Sequence, residues 1–212
     1  RRFKSCLVHF FPLNVRPVET GNNMNSRLWG WCMVVVSGSN AADLAATLAE
    51  ELGWEHHPLE VRRFPDSEGY VRVPQESIEA IRREPVVVVA TTFPDSGIVE
   101  ALLMLESIHD VRSGDMSNLQ GEGEQNLDDA GPGIFLAVPY FGYSRQDKRF
   151  QRGEVVSAKL LARLLTRRCD GMVVLDLHAP TVLDDLEVPV AFVSSMPEIA
   201  IHLQNSIHQK TA

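Results

Sequence analysis

The chain has 212 residues, 44% of them hydrophobic, and a formal net charge of −8 at pH 7. The hydrophobic content is sufficient for a sizeable core, and the acidic balance argues against non-specific nucleic-acid binding, which needs a basic surface. The three cysteines, Cys6, Cys32 and Cys169, form no C-x-x-C pair, which excludes a disulfide framework or a zinc site and favours the reducing cytoplasm.

Residues 1–32 show no clear hydrophobic period, and their apolar part is short and broken by His9, Pro12 and Asn14. A secretory signal needs a cleaner apolar stretch, and no apolar run in the sequence reaches the length of a membrane span. We interpret residues 1–32 as an irregular N-terminal extension. Met33 opens the first convincing strand and is a candidate for the natural start.

Strand-like and helix-like segments alternate from residue 33 onward. The predicted strands are 33–36, 59–64, 70–73, 86–90, 134–138 and 172–175, and the predicted helices are 41–52, 98–108, 155–165 and 199–207. The β-branched run at 86–90 is typical of a strand covered on both faces. The segment 37–40 supplies good N-cap residues before the first helix, and Gly53 ends that helix. The alternation predicts an α/β fold with a mostly parallel sheet flanked by helices.

Residues 113–133 interrupt this alternation, because they are acidic and poor in large apolar side chains. Such a composition predicts a mobile surface loop. The expected organisation is therefore one domain at 33–203 that contains this loop, followed by a polar tail at 204–212.

The most informative segment is Pro-Tyr-Phe-Gly-Tyr-Ser-Arg-Gln-Asp-Lys at 139–148, which directly follows the apolar strand 134–138. In open α/β sheets, ligands bind at the carboxyl ends of the strands. Aromatic rings suit a flat base, and the planar donor fork of Arg145 matches a phosphate group, while Gln146 can both donate and accept hydrogen bonds. A nucleotide is the first hypothesis for this loop, and a solvated charged turn is the alternative.

Two further segments carry candidate site residues. The first is the turn that begins at Pro65, where Asp66 and Glu68 offer carboxylates to an adenine amino group or a ribose hydroxyl; a simple Pro-Asp turn is the alternative. The second is Asp176-Leu177-His178, directly after the strand 172–175. Asp176 and His178 alternate along an extended segment, which would point both side chains to one side as ligands of a divalent cation.

Several nucleotide-binding and hydrolytic motifs are missing from the sequence. There is no G-x-x-x-x-G-K-[ST] loop and no G-x-G-x-x-G fingerprint, and no G-x-S-x-G elbow. His56 and His57, which precede Pro58, are expected to lie on the surface.

The three candidate segments, in this order, resemble the ribose-phosphate diphosphokinase (phosphoribosyl pyrophosphate synthase) family. The matching motifs are FPDSE-x-Y-V-R at 64–72, PYFGYSRQDKRF at 139–150, GEVVSAK at 153–159, VLDLHA at 174–179 and VPV at 188–190. The similarity runs from about residue 33 to about residue 203. The combination of PYFGYSRQD with DLHA is specific to this family.

The resemblance implies a phosphoribosyltransferase-like N-terminal domain of a transferase of the kinase type in nucleotide biosynthesis. The family transfers diphosphate from ATP to the 1-hydroxyl of ribose 5-phosphate, which gives phosphoribosyl pyrophosphate and AMP and requires Mg²⁺. By the resemblance, ATP is bound by Phe64, Asp66, Ser67, Glu68, Arg145 and Gln146, and Mg²⁺ by His178 and Asp176. The family forms cytoplasmic homo-oligomers, commonly hexamers, whose ATP site is completed by two subunits. Neither nucleic acid nor membrane is an expected partner.

Two departures from the family pattern matter. Ser67 stands where the family most often has glycine, and serine would be costly if the backbone there requires a positive φ. The chain also supplies only the first of the family's two similar domains. The ribose 5-phosphate site and the catalytic residues are expected in the second domain, so the isolated chain is expected to bind ATP weakly or not at all and to have no turnover.

Two alternatives to a truncated synthase remain open. One is a non-catalytic regulatory relative that associates with a full-length synthase, although such a protein need not keep Arg145, Gln146 and His178. The other is a degraded reading frame with a compromised fold, which the irregular residues 1–32 and the polar tail favour.

Overall fold

The computed structural model describes residues 33–114 and 131–210, with side chains described up to residue 204. The predicted N-terminal extension at 1–32 and most of the predicted mobile loop, at 115–130, lie outside the described residues. The same holds for residues 211 and 212.

Eight strands and five α-helices alternate along the described residues. The strands are β1 (Val34–Ser37), β2 (Glu55–Pro58), β3 (Glu60–Arg63), β4 (Gly69–Arg72), β5 (Val86–Val89), β6 (Ile134–Val138), β7 (Gly171–Leu175) and β8 (Val190–Val193). The helices are α1 (Ala42–Leu52), α2 (Ile78–Arg83), α3 (Asp95–Ser113), α4 (Ser157–Leu165) and α5 (Met196–Lys210). Three short 3₁₀ helices lie at Gln75–Ser77, Thr166–Arg168 and Pro180–Leu183.

Six of the strands form one parallel sheet in the order β2-β1-β5-β6-β7-β8, and β3 and β4 form a separate antiparallel hairpin. The valine-rich runs of β1 and β5 pair in register, with Val34 opposite Val86 and Val36 opposite Val88. All residues of both strands are buried, as expected for strands with helices on both faces. The predicted α/β fold with a mostly parallel sheet is confirmed.

The two faces of the sheet belong to two separate cores. On one face, the alternate residues Val34, Val36, Val86 and Val88 pack with residues of α2, α3 and α4. On the other face, a smaller core joins Val35, Val87 and Val89 to the alanine-rich side of α1. The period-2 alternation of the strands thus divides the valines between the two cores, and the sheet is fixed between helices.

This topology brings the candidate segments to one edge of the sheet. Because all six strands are parallel, the loops that follow β1, β5, β6 and β7 lie at the same carboxyl edge. The chain leaves β1 toward β2 and later returns on the other side of β1 as β5, so the strand order reverses between β1 and β5. Such a switch point is where doubly wound sheets form ligand crevices.

The sequence did not predict the two edge strands, β2 and β8. β2 consists of Glu-His-His-Pro, and the expectation that His56 and His57 lie on the surface is wrong. Both are half-buried: His56 Nε2 lies 2.8 Å from Ser37 Oγ, and His57 Nδ1 lies 3.0 Å from Ser77 Oγ. Burial, with a smaller contribution from His57, lowers the pKa of His56. Ser37 is fully buried, so the Ser37–His56 pair cannot present a nucleophile to a substrate.

Candidate functional site

The hairpin β3–β4 carries the first candidate segment in a tightly ordered turn. Ser67 N donates to Phe64 O, Phe64 N donates to Glu68 O, and Glu68 N donates to the carboxylate of Asp66 at 3.1 Å. Arg63 adds a hydrogen bond from its guanidinium to Ser67 O at 2.9 Å. The carboxylates of Asp66 and Glu68 are exposed, so both remain accessible to a ligand.

Ser67 has a φ of 74°, which is the left-handed conformation that glycine adopts without cost. We therefore expect Ser67→Gly to raise the free energy of unfolding by about 0.5–1 kcal/mol. Urea denaturation measures this change. Ser144 is the matched control because its φ is not positive, and Ser144→Gly should lower stability by a similar amount. A loss of stability in Ser67→Gly would contradict a strained backbone at this turn.

A guanidinium between two rings supports the base of the same hairpin. The Arg62 guanidinium carbon lies 4.2 Å from the ring centroid of Tyr70 and 5.1 Å from that of Phe64. The two rings meet edge to face with their centroids 5.9 Å apart. Phe64 remains 40% exposed, so part of its side chain is accessible to a ligand.

The loop after β6 carries the second candidate segment, and its own side chains order it. Gln146 N donates to Tyr143 O at 2.9 Å, and Gln146 O accepts from Ala158 N at the start of α4. The Gln146 side-chain amide lies 3.5 Å from each of two backbone oxygens of the loop, those of Lys148 and Val155. The predicted ligand-binding amide of Gln146 is thus half-buried within the loop.

Arg145 differs from its neighbours in this loop. Its side chain is exposed and makes no hydrogen bond or ion pair with any described residue. Gln146 and Glu154 hold the loop backbone that follows Arg145; the Glu154 carboxylate accepts from Phe150 N at 2.6 Å and from Gln151 N at 3.0 Å. An unpaired guanidinium therefore projects from an ordered loop at the carboxyl edge of the sheet.

The loops after β5 and β6 are joined to each other through Thr92. Thr92 is 1% exposed; its backbone N donates to Tyr140 O at 3.1 Å, and its hydroxyl accepts from Gly142 N at 2.6 Å. Further out, the Tyr143 hydroxyl donates to the Asp95 carboxylate at 2.7 Å. The sequence reasoning missed Thr92 and Asp95. The available signal was the run Thr-Thr-Phe-Pro-Asp directly after the predicted strand 86–90.

The third candidate segment follows β7, and its predicted geometry is wrong. Asp176 has a φ of 45°, so the chain is not extended there and the alternation argument for Asp176 and His178 does not hold. The Asp176 carboxylate accepts hydrogen bonds from the backbone N of Ser195, at 3.1 Å, and from the Ser195 hydroxyl. These bonds lower the pKa of Asp176 and fix the carboxyl end of β7 against the start of α5. His178 is exposed.

Two clefts lie close to these segments. One of about 620 Å³ lies between the hairpin and α3 at the β1–β5 switch point, where Ser67 and Glu68 line it together with the buried carboxylate of Glu100. Glu100 accepts from Ser39 N at 2.6 Å and from Ser39 Oγ at 2.7 Å. Ser39 therefore binds α3 instead of capping α1, which begins after Ala41 without a side-chain cap.

The second cleft, of about 560 Å³, is more apolar and lies between α1 and the carboxyl halves of β5–β8. Neither cleft is lined by Arg145 or His178. In one copy of the chain, therefore, neither cleft unites the acidic hairpin turn with Arg145 and His178.

One cluster on α3 has the residue types of a metal site, but a protein cation already occupies it. Glu106, His109 and Asp110 have ligand atoms within 4.8 Å of one another. However, the Arg168 guanidinium donates to both oxygens of Glu106, at 2.8 and 3.0 Å, and lies 3.4 Å from His109 Nε2. A cation already fills the cluster, which thus joins α3 to the 3₁₀ helix after α4.

None of the helices in the described ranges is long and apolar enough to cross a membrane.

Comparison with known proteins shows where the match lies. A family model for the N-terminal domain of ribose phosphate pyrophosphokinase matches residues 33–115 and 130–168. The ribose-phosphate pyrophosphokinase of Methanobrevibacter smithii is 34% identical over 179 residues, which cover 84% of this chain and 53% of that protein. That of Methanothermobacter thermautotrophicus is 36% identical over 173 residues, covering 80% and 53%.

A solved structure shows the same fold. The phosphoribosylpyrophosphate synthetase of Mycobacterium smegmatis superposes with a TM-score of 0.64 at 21% identity, covering 82% of this chain and 52% of that one. The chain therefore spans about half the length of the relatives that it matches.

Proposed function

We propose that this chain binds MgATP for the diphosphate transfer of the ribose-phosphate pyrophosphokinase family. The chain belongs to that family because the family's N-terminal domain model matches more than half of it. In this proposal, the described domain is the nucleotide-binding half of an enzyme that transfers diphosphate from ATP to ribose 5-phosphate. The products are phosphoribosyl pyrophosphate and AMP.

The observation that carries the proposal is the unpaired Arg145 on an ordered loop at the carboxyl edge of the sheet. Arginine binds phosphate through two parallel charge-assisted hydrogen bonds, and the surrounding loop contacts order the backbone from which the guanidinium projects. Gln146 contributes its remaining side-chain oxygen. A non-catalytic regulatory subunit would have no need of an exposed, unpartnered arginine at this edge.

The hairpin turn supplies the complementary half of the nucleotide site. Phe64 offers a ring face to the base, while the exposed carboxylates of Asp66 and Glu68 accept hydrogen bonds from the amino group or the ribose hydroxyls. Ser67 sets the shape of the turn through its left-handed backbone. Because neither described cleft combines this turn with Arg145, we propose that a second copy of the chain brings the two halves together.

Asp176 and His178 are the proposed ligands for the Mg²⁺ that arrives on the nucleotide. Mg²⁺ is usually held by one or two carboxylates together with substrate phosphates and waters. The Asp176 carboxylate accepts from Ser195 but has about four lone-pair sites in all, so one oxygen can still contact the ion. Asp176 and His178 alone are too few ligands for a resident ion. They fit an ion that the triphosphate carries, with the His178 ring beside that ion.

The catalytic residues and the ribose 5-phosphate site are proposed to lie in a second domain of the kind that the relatives' other half supplies. Phosphoryl-group chemistry depends on oriented donors and cations around the phosphates, and the described domain provides only part of these. We therefore expect the isolated chain to release no AMP from ATP and ribose 5-phosphate. AMP release by the pure chain would contradict the proposal that the catalytic residues lie in a second domain. A chain that stays strictly monomeric in sedimentation equilibrium would contradict the proposal that two copies form the nucleotide site.

Arg145→Ala is the test of nucleotide binding. We expect the wild-type chain to bind MgATP weakly, with a Kd of about 1 mM, and Arg145→Ala to raise that Kd at least about tenfold because a charge-assisted pair is lost. An NMR titration of backbone amides measures binding in this range, and shifts are expected in residues 64–69 and 143–148.

The control for this titration is Arg167→Ala, which removes an exposed arginine of the 3₁₀ helix after α4 and should leave the Kd unchanged. Equal Kd values for wild type and Arg145→Ala would remove Arg145 from the site. If the folded wild-type chain shows no amide chemical-shift changes at an MgATP concentration about 10-fold above the expected Kd, nucleotide binding is refuted.

A further inference from the structure

The contact between Tyr143 and Asp95 joins the loop after β6, which carries Arg145, to the N-terminal end of α3, which has no role in the proposed nucleotide site. Tyr143 lies two residues before Arg145, and Asp95 is the first residue of α3. Their hydrogen bond of 2.7 Å spans 48 residues of sequence. We call this hydrogen bond, together with the Thr92 contacts beneath it, the loop clasp.

The backbone of Tyr143 explains why the clasp bears on Arg145. Tyr143 has a φ of 58°, which a tyrosine adopts only when its surroundings impose it. Its carbonyl oxygen accepts from Gln146 N at 2.9 Å, so this conformation opens the bend that carries Arg145. Holding the Tyr143 side chain therefore fixes the direction in which the Arg145 side chain leaves the loop.

The charges of the two partners suit a lasting contact. Asp95 lies at the positive N-terminal end of the 19-residue helix α3, where a carboxylate is favoured. The hydrogen bond to Asp95 raises the pKa of Tyr143, so the phenol keeps its proton and remains a donor at neutral pH. Tyr143 is 47% exposed, and an exposed contact of this kind adds little to global stability. The expected effect of the clasp is local.

From this geometry we propose that Tyr143 and Asp95 are positioning residues that hold Arg145 and Gln146 in the orientation required for the nucleotide phosphates. The inference rests on the proposed function, since it assigns a role within the same MgATP site. Neither residue is proposed to touch the nucleotide.

Four variants test the clasp. Tyr143→Phe removes the donor and keeps the ring, Asp95→Ala removes the acceptor, and Asp95→Asn keeps an oxygen acceptor. We expect the first two to raise the Kd for MgATP about fivefold to tenfold, and Asp95→Asn to stay within about twofold of wild type. The double variant Tyr143→Phe/Asp95→Ala should match either single variant, because both remove the same hydrogen bond.

Two further readouts separate positioning from a purely structural role. Urea denaturation should show almost unchanged stability in Tyr143→Phe, whereas amide hydrogen exchange should become faster only in residues 142–148. The control is Arg167→Ala, which removes an exposed arginine of the 3₁₀ helix after α4, outside both loops; it should change neither exchange at 142–148 nor Kd.

The outcomes distinguish the clasp from the proposed function. If wild type binds MgATP and Tyr143→Phe binds equally well, the positioning inference is wrong and the nucleotide site stands. If the folded wild type binds no MgATP, the proposed function is wrong, and the exchange data decide whether the clasp orders the loop. Unchanged exchange at 142–148 in Tyr143→Phe overturns the clasp in either case.

Discussion

Replacing Arg112 with methionine is expected to lower the free energy of unfolding by about 3–5 kcal/mol. Arg112 is 6% exposed, and its guanidinium donates to three backbone oxygens: Ile81 O at 2.9 Å, Glu84 O at 2.8 Å, and Pro132 O. Methionine fills most of the same volume but leaves all three acceptors without this donor. Buried acceptors that lose their only donor cost more than the hydrogen bonds themselves are worth.

The position of Arg112 explains why removing its hydrogen bonds should destabilise more than one element. Ile81 and Glu84 lie at the carboxyl end of α2, where the helix leaves carbonyl groups unpaired and its dipole favours a cation. Pro132 lies just before β6, where the described chain resumes. Burial lowers the pKa of Arg112 to about 10, against an opposing effect of Asp170, so the side chain stays charged at neutral pH. A single cation thereby joins α2, α3 and the entry to a central strand.

Urea denaturation with a graded control checks this expectation. Arg82→Met removes a half-buried arginine with one backbone contact, a 2.9 Å hydrogen bond to Val111 O, and should cost about 1 kcal/mol. Arg112→Lys keeps the charge but has no fork for three carbonyls, so it should resemble Arg112→Met. A cost below about 1 kcal/mol for Arg112→Met would show that water or a neighbouring group satisfies the carbonyls.

The central elements of this fold could be predicted because their patterns are local. The valine runs of β1 and β5 are apolar at every position, which is typical of a strand covered on both faces, and Gly53 ends α1 with a φ of 68° as the sequence indicated. The edge strands could not be predicted in this way. β2 is half-buried and polar, so it is a strand only because it pairs with β1. The contact between Ser37 and His56, for example, joins residues 19 positions apart in the sequence.

The candidate loops were recognisable, but their internal supports were not. The turn at Ser67 and the bend at Arg145 stand out because proline, glycine and charge follow an apolar run. The segment 37–40 was expected to supply the cap of α1, but α1 has no side-chain cap, and Ser39 of this segment binds Glu100, 61 residues away. The Asp176 carboxylate accepts hydrogen bonds from Ser195, a partner that the sequence did not indicate. Single short polar residues have many possible partners, and only the tertiary fold selects one.

The second large effect is expected from adding one methyl group to the loop after β6. A Cβ built on Gly142 would lie 2.3 Å from the backbone oxygen of Thr92 and 3.3 Å from its carbonyl carbon. Backbone atoms cannot rotate away as a side chain does, so the loops after β5 and β6 must separate. We expect Gly142→Ala to cost about 3 kcal/mol of stability, and the hydrogen bond from Gly142 N to Thr92 Oγ to be lost.

Gly142→Ala should also weaken MgATP binding more than Tyr143→Phe does, because it moves the whole loop that carries Arg145 instead of releasing one contact. The Kd should rise more than about tenfold while the chain remains folded; urea denaturation and the NMR titration measure the two effects on the same samples. Gly69→Ala is the stability control, since its added Cβ would meet only Leu103 Cδ1, at 3.6 Å, and should change stability by less than about 0.5 kcal/mol. Wild-type affinity for MgATP in a destabilised Gly142→Ala would show that Arg145 finds the phosphates without an ordered loop, and would contradict the claim that the contacts between the loops after β5 and β6 prepare Arg145 for the nucleotide.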